Sequence, residues 1–211
     1  MELYQTQIFG RPLPKRPFTV TSKRGETLEN GAIREQVTLA FGDGADAPRL
    51  QLLIELPKSN RPVPVLFGPN FPGNHSISDD PAIELSHNRP SADNDKKAPN
   101  DGRGSAKSRW PIDKVLARGY GLATIHYFNM APDNAKTYRD GVLKLFPSDY
   151  KGEPGPEECG AIGAWAWGLS RCLDYMETDP RIDAKRVVLH GHSRLGKAAL
   201  WAARSTSDSR S

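Results

Sequence analysis

Cysteine is almost missing from this chain: 211 residues contain two, Cys159 and Cys172. Both fall in one helical pattern, too few for a disulfide scaffold or a structural zinc site, so packing is the expected role of each. Long apolar runs are missing as well. No stretch approaches a membrane span, and the opening MELYQTQIFGRPLPKRP lacks the apolar centre of a signal peptide, so neither a membrane partner nor an export signal is expected. The third absence is an excess of one charge sign. Lys and Arg number 29 against 25 Asp and Glu, a formal net charge of +4, and the two signs are interleaved. That is a mildly basic solvated surface without the clustered stripe that nucleic-acid binders carry, and no nucleic-acid partner is expected. The hydrophobic fraction, 37%, is on the low side, and the length suits one sizeable domain with one core.

What is present is concentrated in residues 186–203, RVVLHGHSRLGKAALWAA. The run Val187, Val188, Leu189 leads into a glycine-bounded turn and then into small and apolar residues at helical spacing. This reads as strand, sharp turn and helix, with Ser193 at the apex. A nucleophile elbow has this form, because the serine hydroxyl must clear the sheet edge and the crowded backbone needs small neighbours, here Gly191 and Gly196. The match to G-x-S-x-G is imperfect, since Leu195 holds the place of the second glycine. The same residues also fit G-x-x-x-x-G-K after a strand, the start of a phosphate-binding loop. Against that alternative, Ala198 stands where the loop needs Ser or Thr for magnesium, and His192 and Arg194 are poor choices for a loop that wraps phosphate in bare N–H groups.

Residues 1–24 are Pro-rich and read as an extended arm, residues 25–203 as the domain, and residues 204–211 as a polar, disordered tail. Segments 33–41 and 50–56 form an expected antiparallel hairpin around Gly42, Asp43 and Gly44. Residues 62–67 give a short buried strand, after which the chain breaks into a loop, GPNFPGNH, at 68–75. In the α/β-hydrolase plan such a loop supplies a backbone N–H to the oxyanion hole; an ordinary Pro/Gly loop is the alternative. Residues 86–108 are polar throughout and read as a long excursion or flexible insertion. A helix at 111–118, a strand at 121–127 and a loop at 131–156 follow. Segment 157–178 is the strongest helix, with Ile162, Trp165, Leu169, Leu173 and Met176 on one stripe and Glu157 and Glu158 in its first turn. Trp165 and Trp167 point in different directions, so one is expected in the core and the other at a surface or pocket. Helix, strand, turn, helix is the central unit of a doubly wound, mostly parallel α/β sheet, in which ligands bind beyond the carboxyl ends of the strands.

The run EPGPEECGAIGAWAWGLSRCLDYMETDPRIDAKRVVLHGHSRLGKAALWAA resembles the serine-nucleophile region of the glucuronoyl esterase family, carbohydrate esterases of the α/β-hydrolase fold. Earlier pieces agree in order, NFPGNHSISDDPAI and then RGSAKSRWPIDKVLARGYGLATIHY, so that the resemblance covers about residues 50–203. It implies cleavage of the ester between 4-O-methyl-glucuronic acid of xylan and lignin alcohols, with no metal and no other cofactor. Residue by residue, it implies that Ser193 is the nucleophile, Arg194 stabilises the oxyanion and Lys197 contacts sugar hydroxyls. A fixed positive charge beside the nucleophile suits the first two roles on physical grounds. Without the resemblance, Arg194 reads as a surface ion pair and Lys197 as a solvated helix charge.

An α/β-hydrolase presents its triad in the order serine, acid, histidine. All five histidines, His75, His87, His126, His190 and His192, precede Ser193, and the residues after it hold one carboxylate, Asp208. The expectation is a chain cut short at its C-terminal side, with the sheet incomplete there, the elbow strand left as a raw edge, and ester turnover weak or absent. A non-catalytic protein binding uronic-acid glycans is the alternative of a second class, and a P-loop nucleotide-binding protein the third. The family's substrates imply a secreted or periplasmic location, which the missing export signal opposes. Oligomeric state is not legible.

Overall fold

A computed structural model describes residues 2–86, 102–147, 152, 155 and 157–208. A short helix α1 (Glu2–Gln7) precedes four strands, β1 (Thr19–Thr27), β2 (Ile33–Ala40), β3 (Arg49–Leu56) and β4 (Val63–Asn70). Then follow α2 (Ile112–Leu116), β5 (Gly121–His126), α3 (Ala161–Met176), β6 (Ile182–Leu189) and α4 (Arg194–Asp208). The strands form one sheet in the order β1-β2-β3-β5-β4-β6.

The sheet is mixed. β1, β2, β3 and β5 pair antiparallel in turn, and parallel pairing is confined to β5 with β4 and β4 with β6. This narrows the expected mostly parallel sheet to its elbow side. Tight turns join the first three strands and so enforce antiparallel neighbours, whereas parallel neighbours need the long crossovers that carry α2 and α3. Helices lie on both faces. Leu52 and Ile54 face the main core with Trp165 and Leu195, while Leu53 between them points to the opposite face, with Ile77, Ile83 and Leu122 under Ile112 and Val115 of α2. That alternation is the period-2 pleat.

Several expected boundaries move. The arm is extended only in part, since α1 folds at its start and β1 begins at Thr19, drawn into the ladder by pairing with β2. β4 runs through Gly68 and Pro69 to Asn70, where a loop was expected, because β5 pairs with it to that end. α3 starts at Ala161, and the two glutamates expected in its first turn serve ion pairs instead: Glu157 with Arg11, Glu158 with Arg139. Trp165 and Trp167 are both buried. The chain before and after α3 covers its outer side, so each indole N–H finds a carbonyl, Ala131 for Trp165 and Pro14 for Trp167, both at 2.9 Å. Within the expected loop 131–156, Val142, Leu143 and Phe146 are core residues. The backbone of α4 continues to Asp208, through the first part of the expected disordered tail, since adding residues to a formed helix costs little. Most of the polar excursion, including His87, lies outside the described residues.

A buried ion cluster ties the front of the sheet to the chain after β4. Arg34 on β2 is 4% exposed and donates to Glu55 at 2.9 Å, Asp80 at 2.7 Å and Glu26 at 3.3 Å. Burial pushes the Glu55 carboxyl up against the pull of Arg34. The Ala82 backbone N–H, and after it Arg34, hold the Asp80 carboxyl below the usual range. A carboxyl depressed in the fold stabilises it above an unfolded pKa of about 3.9, and that stabilisation disappears as pH falls through the folded value. Urea midpoints should therefore fall for the natural chain between about pH 4 and pH 2. The Asp80→Asn variant, less stable at pH 7, should lose less over the same interval; parallel acid limbs would show that Asp80 carries none of this linkage.

Candidate active site

Ser193 sits between the end of β6 and the start of α4 with φ 55°, the sole positive φ outside glycine among the described residues. A left-handed backbone costs a side-chain-bearing residue about 1–2 kcal/mol, and here the surroundings enforce it. A Cβ on Gly191 would overlap the Leu195 carbonyl, and one on Gly196 would lie 3.0 Å from the Gly191 oxygen. The small-residue requirement read from the sequence is thus met at both positions. Leu195, the departure from the usual motif, is buried in the core and anchors the first turn of α4. The Leu195 N–H donates to the His192 carbonyl at 3.0 Å and that of Gly196 to Ser193 at 3.0 Å. Those donors are spent within the turn, and Ala198 is fully buried, which disfavours the phosphate-loop reading. Ser193 itself is exposed, and its hydroxyl makes no hydrogen bond to a described residue.

The elbow approaches β4 closely. His190 donates its backbone N–H to the Phe67 carbonyl at 2.8 Å, and a Cβ on Gly68 would lie 2.5 Å from the His190 oxygen. Directly after β4 comes Phe71. The Arg194 guanidinium carbon stands 4.9 Å from its ring centre, so the loop and the start of α4 are in contact. Neither the Phe71 N–H nor the Arg194 N–H bonds a described residue. An α/β-hydrolase oxyanion hole is built from two backbone donors of this kind, one after the elbow serine and one in the loop after an early strand.

Arg194 also forms the ion pair that its residue type alone suggested, Nε to Asp133 Oδ2 at 2.5 Å. Tyr127 packs against Phe71 with ring centres 5.6 Å apart, and burial, reinforced by Asp133, pushes its hydroxyl pKa up. Lys197 is exposed, has no ion pair with a described residue, and lies one helical turn after Ser193, its N–H reaching the Ser193 carbonyl at 3.3 Å. Ser193, Arg194 and Lys197 lie together at the start of α4. Asp133, Phe71 and Tyr127 were not singled out. Their signal is position beyond the carboxyl ends of β4 and β5. No described histidine hydrogen-bonds Ser193: His190 packs on Trp110 with ring centres 4.9 Å apart, and His75 Nδ1 accepts from the Ser86 N–H at 3.4 Å. Among the described residues no three His, Cys, Asp or Glu side chains converge as metal ligands, and no helix is long and apolar enough to cross a membrane.

The family model described as "Glucuronyl esterase, fungi" matches residues 112–207. Over 209 residues the chain is 40% identical to carbohydrate esterase MZ0003 from an unknown prokaryotic organism, covering 95% of this chain and 48% of that protein. The solved glucuronoyl esterase from Solibacter usitatus superimposes with a TM-score of 0.87 at 40% identity, over 98% of this chain and 54% of that one. The chain is similar to glucuronoyl esterases over nearly its whole length. It spans about half the length of MZ0003 and of the Solibacter enzyme. A 4-O-methyl-glucuronoyl methylesterase of Cerrena unicolor is 36% identical over 104 residues, 44% of this chain and 20% of that protein. The sheet with helices on both faces is accordingly an α/β-hydrolase fold, and Ser193 occupies the strand-to-helix turn after β6.

The strain at Ser193 is measurable without any substrate. Ser193→Gly removes the left-handed penalty and should raise unfolding free energy by about 1 kcal/mol, whereas Ser193→Val should lower it. Urea denaturation reads both, and a destabilised glycine variant would mean that the turn is not strained.

Proposed function

We propose that this chain carries the nucleophile and oxyanion site of a serine carboxylic ester hydrolase that acts on 4-O-methyl-glucuronate esters, such as those joining glucuronoxylan to lignin. The observation that carries the reading is the strained, exposed Ser193 beside two free backbone N–H groups and the Arg194 guanidinium. The similarity to glucuronoyl esterases and the methylesterase name of the Cerrena relative support the substrate class.

In this reading Ser193 Oγ attacks the uronate carbonyl carbon as its proton passes to solvent water, since no described histidine bonds to it; water in turn protonates the departing alkoxide. The oxygen that becomes negative is received by the Phe71 and Arg194 N–H groups and by the guanidinium. One such preorganised donor is worth about 3 kcal/mol of barrier. Collapse expels the alcohol and leaves an acyl-serine, which water then hydrolyses. Lys197 presents its ammonium to sugar hydroxyls one turn along. A second reading, a protein that binds uronic-acid glycans without cleaving them, draws on the lack of a described histidine bonded to Ser193. The electrostatic site alone supports about 10³–10⁴-fold acceleration over water.

Because that residual rate does not require the serine, turnover alone is a weak test. A fluorophosphonate is better, since Ser193 Oγ bonds to phosphorus as fluoride leaves and the product mimics the tetrahedral intermediate. Peptide mass mapping should place the adduct on Ser193, and Arg194→Ala should slow its formation about 100-fold. Labelling of another residue, or none, with glucuronoxylan binding intact, would favour the glycan-binding reading.

A further inference from the structure

Three buried side chains form a closed polar chain across the sheet directly behind the elbow: Asn70 at the end of β4, Asn74 in the loop after it, and Thr124 on β5. All three are at least nine-tenths buried. Thr124 Oγ1 donates to the Gly68 carbonyl at 2.8 Å and accepts from Asn70 Nδ2 at 2.9 Å. The same Asn70 nitrogen donates to Asn74 Oδ1 at 2.9 Å, and Asn74 Nδ2 donates to the Gln51 carbonyl of β3 at 2.8 Å. Asn70 Oδ1 accepts the Gly73 N–H at 2.7 Å, which closes the turn 70–73. Each polar atom of the two amides is used, so neither amide can rotate end for end without setting donor against donor.

The two ends of this chain matter for the site. One end closes the turn that carries Phe71, whose N–H is free and whose ring supports Arg194. The other end holds the carbonyl of Gly68, the residue whose missing side chain lets His190 and the elbow come close. A single hydroxyl, that of Thr124, therefore links the strand against which the elbow rests to the loop that faces it across the site.

We infer that Thr124, acting through Asn70, is a positioning residue that sets the spacing between the Phe71 loop and the Ser193 elbow. This rests on the esterase reading for its catalytic meaning. Thr124→Val keeps the shape of the side chain and removes the hydroxyl, leaving an Asn70 donor unpaired and the Gly68 carbonyl without its side-chain donor; Thr124→Ser keeps the hydroxyl. A misplacement of about 1 Å costs about 100-fold in rate.

Two readouts decide the matter on the full chain. In fluorophosphonate labelling, Thr124→Val should lower the maximal rate of Ser193 adduct formation about 100-fold with the half-saturating probe concentration unchanged, and Thr124→Ser should restore it to near the natural chain. In amide hydrogen exchange, the hydrogen-bonded Gly73 and Asn74 amides of Thr124→Val should exchange at least tenfold faster while those of β2 and β3 keep their protection. Asn74→Ala, a change at the loop end of the polar chain, should give the same local pattern if Thr124→Val does not fold. Unchanged labelling with unchanged loop exchange would overturn the proposal, as would equal loss of protection throughout the sheet. If the natural chain is not labelled at Ser193 but the loop amides respond as stated, the esterase reading fails and the positioning of the loop stands.

Discussion

Everything at this site depends on the close approach of the elbow backbone to β4. Ser193 can hold a left-handed conformation because the turn has no room to relax: Gly191 lies against the Leu195 carbonyl, and Gly68 lies against that of His190. Leu195, Ala198 and Trp201 then sink α4 into the core beside α3. The strain of about 1–2 kcal/mol at one residue is small against the burial of three apolar side chains, each worth a comparable or larger amount. Packing wins, and the hydroxyl is left standing out of the sheet. β6 is the last strand on its side of the sheet among the described residues, with Val188 53% exposed, so the elbow is braced laterally by β4 alone.

The second constraint is polar. The chain after β4 sinks Ile77 and Ile83 into the second core, and hydrogen bonds fix it from two directions: the amide chain from Gln51 through Asn74 and Asn70 to Thr124, and the charge cluster that joins Asp80 to Arg34. Neither arrangement adds much net stability, since hydrogen bonds and buried ion pairs exchange against hydration. What they add is a unique geometry, because each alternative leaves a buried polar atom unpaired. Asn70 and Thr124 are thus better understood as selecting one loop conformation than as strengthening the fold.

The contrast between what the sequence disclosed and what it hid follows from these two constraints. The elbow was legible because its requirements are local: a β-branched run, small residues at fixed offsets, and a serine between them. α3 was legible from its apolar stripe. Asp133 was hidden because it lies in an irregular segment, where nothing local distinguishes it from Asp140, and its partner Arg194 is 61 positions away. Trp167 does line a pocket, beside Pro14 and Arg171, but its burial was not legible, because helical periodicity describes one face at a time and says nothing about the arm whose Pro14 carbonyl takes its indole N–H. The helical backbone of residues 204–208 was missed because polar composition was read as disorder, although a helix already begun by Leu195 and Ala198 needs only backbone bonds to continue.

The pairing of Arg194 with Asp133 bears on how an oxyanion would be held. Both side chains are partly exposed, 48% and 32%, and a pair of that kind adds little to stability, about 0–1 kcal/mol. It also withdraws part of the positive charge that a developing oxyanion would use. The compensation is orientation. A guanidinium has five donors, and Nε is the nitrogen nearest Asp133, while the face is laid on Phe71. The terminal nitrogens keep their donors, held in a plane that no longer has to be found when charge develops. Tyr127, its hydroxyl pKa raised by burial and then by Asp133, stays neutral at physiological pH and does not compete for that charge. A donor that need not reorganise is worth more in a partly desolvated site than a freer charge that must, so under the esterase proposal the ion pair that looks like a loss of electrostatic strength would fix where that strength is applied.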